Sequence, residues 1–141
     1  MAFALPRSGF NSRYVHQMIT PKRQLGNKGE EVACEHLISK GYSIIERNYN
    51  TKFGEIDIIA KYKEIIHFIE VKSGNNKENT ISPVENLTRD KIRKFIKTVQ
   101  IYINHKNISQ EQRWQMDAIV VVFNSFDAPL DISHIENINI F

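Results

Sequence analysis

Two stretches of this 141-residue chain, Gly54-Glu55-Ile56-Asp57 and Ile69-Glu70-Val71-Lys72, set carboxylates and an amine at spacings that chemistry can use. They fall in strand-like runs, Phe53 to Ala60 and Ile65 to Lys72, separated by the polar Lys61 to Glu64, which is the pattern of a β-hairpin. With the turn centred on Tyr62 and Lys63, Asp57 opposes Phe68 and Glu55 opposes Glu70. Alternation of side chains then gathers Glu55, Asp57, Glu70 and Lys72 on one face, at the end away from the turn. In that register Glu55 and Glu70 lie about 5 Å apart at Cβ, with Asp57 about 7 to 8 Å from Glu70. Like charges so placed raise one another's pKa, so three carboxylates there need a cation. Lys72 is one candidate. The other is a hard divalent ion such as Mg²⁺, held by carboxylate oxygens with the Val71 carbonyl as a further ligand. Strand ends often carry solvated Glu and Lys, but here the neighbours Ile56, Ile58, Ile59, Phe68, Ile69 and Val71 are apolar. Charges in strands otherwise fit for burial are expensive unless paired or metal-bound. An ammonium beside metal-bound water can orient that water or stabilise charge on a phosphate.

The elements that must position these groups follow from periodicity. A helix is predicted from Lys28 to Lys40, stopped by Gly41, with Ala33, Cys34 and Leu37 on one stripe and Glu30 on that same stripe. Glu31 and Glu35 sit off it. A strand follows over Tyr42 to Asn48, then a polar turn at Asn50 to Lys52 and the hairpin. Ser73 to Ser82, with Gly74, Asn75, Asn76 and Asn79, reads as a loop. A second helix runs from an N-cap at Thr88 to His105, apolar at Ile92, Phe95, Ile96, Val99 and Tyr102. Its outer face carries Arg89, Lys91, Arg93, Lys94 and Lys97 against the single acid Asp90, a surface suited to a phosphate backbone. Met116 to Asn124 reads as a strand buried on both faces, and Ile132 to Ile140 as a last strand. The order α-β-β-β-α-β-β describes an α/β domain, a mixed sheet flanked by helices.

Composition bounds the function without choosing it. Hydrophobic residues at 41% and charged residues at 25% exclude disorder, collagen and coiled coil. A formal charge of +3 suits an anionic partner without specifying one. Cys34 is the single cysteine, which excludes an intramolecular disulfide framework and any Cys-cluster zinc site; a cytoplasmic location is the expectation. No apolar run approaches the roughly 20 residues of a membrane span. Residues 1–24 read as a basic arm and 25–141 as one domain. His16, His36, His67, His105 and His134 are scattered without ligand spacing and read as surface or packing residues, His67 on the strand face opposite Glu70. Cys34 reads as a small buried hydrophobe, and Trp114 as a packing residue.

Gly29-Glu30 before Ala33, Gly41-Tyr42, Arg47-Asn48, Gly54 to Ala60, Phe68 to Lys72 and Lys91 together resemble the uncharacterised YraN family over about residues 25 to 124. That family is similar to restriction-endonuclease-like nucleases, with their PD-(D/E)xK signature, and to archaeal Holliday-junction resolvases. The resemblance implies a restriction-endonuclease-like fold and Mg²⁺- or Mn²⁺-dependent hydrolysis of phosphodiester bonds in DNA, branched or structured DNA included. It implies Asp57 and Glu70 as metal ligands, Lys72 as the residue that positions the attacking water and Glu30 as an accessory acid. Lys91, flanked on the basic helix by Arg89 and Lys94, would face the phosphates. A homodimer follows only by analogy with enzymes that cut two strands. Where basic residues commonly stand in the family, this chain has Ser73-Gly74 and Gln115, and Asp117 is expected to serve as a hydrogen-bonding residue. Two alternatives stand beside the nuclease: a non-catalytic nucleic-acid-binding module, and a scaffold that binds a protein through the Ser73 to Ser82 loop.

Overall fold

The helical and alternating apolar patterns resolve into seven elements in a computed structural model that describes residues 21–75 and 88–138, with side chains from Gln24 onward. They are α1 (Pro21–Ser39), β1 (Ser43–Thr51), β2 (Gly54–Tyr62), β3 (Ile65–Asn75), α2 (Arg89–His105), β4 (Trp114–Phe123) and β5 (Pro129–Ile135), in the predicted α-β-β-β-α-β-β order. The sheet runs β1-β2-β3-β4-β5, antiparallel except for the parallel pair β3 and β4. A parallel pair needs a long crossover, and the connection that contains α2 supplies it.

The two helices lie against opposite faces. On one, Ala33, Cys34 and Leu37 of α1 pack on Ile58, Ala60, Ile69, Ile119, Val121 and Phe123. On the other, Val99 and Tyr102 of α2 pack on Tyr49, Ile56, Ile59, Ile66 and Phe68. Burial on both faces explains why β3 and β4 read as unbroken apolar runs. Each fully buried Ile or Leu contributes roughly 1.5–3 kcal/mol, an upper bound for a chain with some structure when unfolded.

Several boundaries differ from the sequence reading. Helix α1, Pro21–Ser39, reaches into the stretch read as a basic arm. Residues 1–20 and 76–87, the latter holding most of the expected Ser73 to Ser82 loop, lie outside the described residues. Strand β3 continues to Asn75 because β4 pairs with it as far as Asn75 opposite Phe123. Thr88 caps α2 as expected, accepting a hydrogen bond from the Lys91 N–H at 3.2 Å. No helix among the described residues is long and apolar enough to cross a membrane.

The predicted hairpin register is corrected by two residues. Tyr62 pairs with Ile65 and Ile58 with Ile69, so the turn is Lys63-Glu64, both at positive φ (48° and 65°). Two residues at φ > 0 form the turn whose twist suits adjoining strands. The sequence offered no Asn-Gly or Gly at that point, which is why the turn was misplaced. A shift of two preserves face parity within the paired stretch, which ends at Ile58 opposite Ile69, just before Asp57 and Glu70.

Helix α1 approaches β3 so closely that a Cβ on Gly29 would lie 2.9 Å from Cβ and 1.6 Å from Oγ of Ser73. Gly26, one turn earlier, has open space around it. Gly29→Ala should therefore cost about 1–3 kcal/mol in a urea unfolding titration, whereas Gly26→Ala should stabilise by roughly 0.5–1 kcal/mol through helix propensity. Equal effects of the two substitutions would contradict the close approach.

Candidate functional site

The pairing of β2 with β3 stops at Ile58 opposite Ile69, and beyond that point β2 leaves β3 while β3 stays paired to β4. At the fork, strict alternation also fails. Ile56 packs on the α2 side and Ile58 on the α1 side; on β1, Tyr49 and Arg47, which pair with them, do the same. Asn48, between Arg47 and Tyr49, takes a left-handed φ of 52°. Asp57 sits at this switch and its Oδ2 accepts the Val71 N–H at 2.8 Å, capping a donor that the departing strand leaves behind.

A cleft of about 990 Å³ opens at the fork, lined among others by Glu30, Glu55, Asp57, Glu70, Val71 and Lys72. The structure thus brings together Glu30 from α1, Glu55 and Asp57 from β2, and Glu70 from β3. Gly29 against Ser73 sets how near Glu30 comes to β3. Ser73 is thereby part of the helix contact. Lys72 Nζ lies 3.2 Å from Glu70 Oε1. Lys28, not foreseen, also lines the cleft, and its ammonium donates to the carbonyl of Asp127. It stands two positions from Glu30 on α1, outside the hairpin pattern that guided the sequence reading.

The electrostatics are those of a site short of positive charge. Burial raises the pKa of Asp57 from 3.8 to about 7; the Val71 hydrogen bond opposes this, and the charges of Glu30, Glu55 and Glu70 add to it. The donor set is carboxylate oxygens, a carbonyl and one ammonium, which fits a hard cation such as Mg²⁺ or Mn²⁺.

The basic helix is divided. Lys91 shares with Glu70, Asp117, Ile92, Phe95 and Met116, among others, a cavity of about 20 Å³ beside α2, enough for about one water. Arg89 and Lys94 stand exposed on the outer face, Lys94 paired with Asp90 at 3.6 Å, and neither lines the cleft. Lys97 lies over the ring of Phe53, 4.4 Å from its centre. Gly54 meets α2, where an added Cβ would come within 3.2 Å of Thr98 Oγ1. Trp114 packs edge-on against Phe68, with ring centres 5.7 Å apart.

One constellation contradicts the reading of the histidines as scattered. His67 Nδ1 and His134 Nε2 both meet Asp117 Oδ2, at 2.6 and 2.8 Å. Oδ1 of the same carboxylate accepts from Gln115 Nε2 and from the Asn137 N–H, both at 2.9 Å. Asp117 has the expected hydrogen-bonding role, and these bonds hold its pKa well below the usual carboxylate range despite burial. His67 and His134 are distant in sequence, so only the β3-β4-β5 pairing joins them.

Because the Asp57 pKa is raised, the native state binds this proton more tightly than the unfolded chain does. Its contribution to stability therefore falls as pH rises from about 4 to about 7. With chelator present, Asp57→Asn should flatten the fall in urea-unfolding free energy between pH 5 and pH 7.5 and should exceed the parent in stability at pH 7.5. An unchanged pH slope would remove the charge conflict from the account.

The family model described as "Uncharacterised protein family UPF0102" matches residues 29–121, which include Glu30, Asp57, Glu70, Lys72 and Lys91. A UPF0102 protein of Helicobacter pylori (strain HPAG1) is 43% identical over 105 residues, covering 74% of this chain and 87% of the relative. UPF0102 proteins of Campylobacter fetus and Campylobacter lari are each 42% identical, over 99 and 115 residues; these cover 70% and 81% of this chain and 84% and 92% of the relatives. With the matched region running from within α1 through the acidic fork and α2 into β4, this chain belongs to the uncharacterised UPF0102 (YraN-like) family.

Proposed function

We propose that this protein is a metal-dependent endonuclease of restriction-endonuclease-like fold that hydrolyses phosphodiester bonds in DNA, branched or structured DNA among its substrates. The observation that carries the reading is the convergence of Glu30, Asp57, Glu70, Val71 and Lys72 on one cleft at the β2-β3 fork. Asp57 and Glu70, with the Val71 carbonyl, would hold Mg²⁺ or Mn²⁺. Such an ion, when bound, neutralises phosphate charge and lowers the pKa of a coordinated water.

The remaining work falls to the chain itself. Lys72, which Glu70 holds at 3.2 Å, aims an ammonium into the cleft, where it orients the attacking water and offsets charge gathering on the phosphate. Glu30 adds negative charge from α1, which favours a divalent ion over an ammonium alone. Lys91, beside Glu70, and Lys28 at the cleft wall supply cations for the backbone of the nucleic acid. Arg89 and Lys94 extend that surface along α2. Contacts of this kind grip phosphates and read little sequence.

Purified protein incubated with linear duplex, single-stranded and four-way-junction DNA should cleave at least one of them with Mg²⁺ or Mn²⁺ and none with chelator. Asp57→Ala and Lys72→Ala should each lower the rate by roughly 100-fold or more. Lys91→Ala should weaken DNA binding about equally across sequences and reduce the salt slope by about one. Absence of cleavage, or variants as fast as the parent, would overturn the nuclease. Salt-dependent binding without cleavage would leave a binding module.

A further inference from the structure

We infer that His67, Asp117, His134 and Glu136 form a second metal site, selective for a borderline transition ion of the Zn²⁺ type and separate from the acidic fork. One ligand atom from each of the four residues lies within 4.8 Å of the other three. They come from three adjacent strands, His67 from β3, Asp117 from β4 and His134 from β5, with Glu136 immediately after β5. The cluster adjoins the fork, since Asp117 pairs with Ile69 and lines a small cavity with Glu70, but its imidazoles are set apart from it: His67 stands three residues from Glu70 along β3, about 10 Å away and on the alternate face.

The arrangement has the parts of a metal site in order. Two imidazole nitrogens converge on a single carboxylate oxygen at 2.6 and 2.8 Å. Tetrahedral ligands at Zn²⁺ distances stand about 3.3 Å from one another, so each nitrogen must draw back from the Asp117 oxygen by roughly 0.5 to 0.7 Å, while ligand pairs near the 4.8 Å limit must close by about 1.5 Å. The carboxylate is already oriented for ligation, since Gln115 Nε2 and the Asn137 N–H hold its other oxygen, the outer-shell support that metal-ligating carboxylates require. Tyr42 packs on both imidazoles, with ring centres at 5.0 and 5.8 Å, and walls the site from the α1 side. His67 and Asp117 are buried, whereas Glu136 is exposed and His134 partly so, which gives an ion a route from solvent.

Two imidazoles with two carboxylates match Zn²⁺, Co²⁺ or Ni²⁺ and suit Mg²⁺ poorly. Ligation requires a lone pair on His67 Nδ1 and on His134 Nε2. Each neutral ring therefore carries its N–H on the other nitrogen in the metal-bound form, and the two hydrogen bonds to Asp117 give way to coordination. An ion there would tie β5, an edge strand, to β3 through β4.

Titration of the full-length protein with Co²⁺ alone should give the intense visible absorption of tetrahedral coordination at one equivalent, and Zn²⁺ alone should displace it. His134→Ala and Glu136→Gln replace the accessible ligands and should keep the parent's far-ultraviolet circular dichroism. His134→Ala should weaken Co²⁺ binding by about 100-fold or more, and Glu136→Gln by about 10-fold, while Asp57→Asn should retain it. The site is disproved if the parent shows no tetrahedral spectrum. It is equally disproved if His134→Ala binds as the parent does, or if the spectrum depends on Asp57 instead.

Discussion

The hydrogen bond from the Val71 N–H to Asp57 Oδ2 is the constraint around which the acidic end of this sheet is arranged. When β2 diverges from β3 it leaves a backbone donor on β3 that burial makes costly to abandon. Asp57 satisfies it, but a neutral asparagine oxygen would satisfy it as well. The charge is therefore in excess of what the fold requires, and it is placed where burial and three neighbouring acids oppose ionisation. That excess charge is what the proposed cation site would use.

The rest of the structure makes this concentration of charge tolerable and fixes its geometry. Apolar layers on both faces of the sheet, centred on Ile58, Ile69, Ile119 and Val121 on one side and Ile56, Ile59 and Phe68 on the other, hold β2 and β3 in register up to the fork. The Gly29 contact with Ser73 brings Glu30 to the cleft without a bridging side chain. Lys72 remains beside Glu70, and Lys91 approaches Glu70 from the α2 side. Positive and negative groups are thus kept on adjoining surfaces of one seam.

Period-two and period-3.6 patterns were enough to locate all seven elements, because Ile-rich strands and the Ile92, Phe95, Val99 and Tyr102 stripe leave little ambiguity. That Glu55, Asp57 and Glu70 gather on one cleft was legible for a related reason, as charges interrupting strands otherwise fit for burial. The hairpin register was not, since Lys63 and Glu64 adopt positive φ without the residues that advertise it. The switch of faces at Asn48 and Asp57 shows only in the pairing of β1 with β2, although asparagine is a residue that readily takes the left-handed φ found there. The convergence of His67 and His134 on Asp117 depends on strand pairing across half the chain, which no local spacing encodes.

The two clusters differ in hardness. The fork offers oxygens to a hard ion, whereas the His67, Asp117 and His134 cluster is built on imidazole nitrogen. Whether the fork takes a divalent ion is decided by calorimetric titration with Mn²⁺ at pH 7.5 of the parent, Asp57→Asn and His134→Ala. Binding heat is expected in the parent and in His134→Ala and is expected to disappear in Asp57→Asn. Heat absent from the parent, or undiminished in Asp57→Asn, would contradict a cation site there.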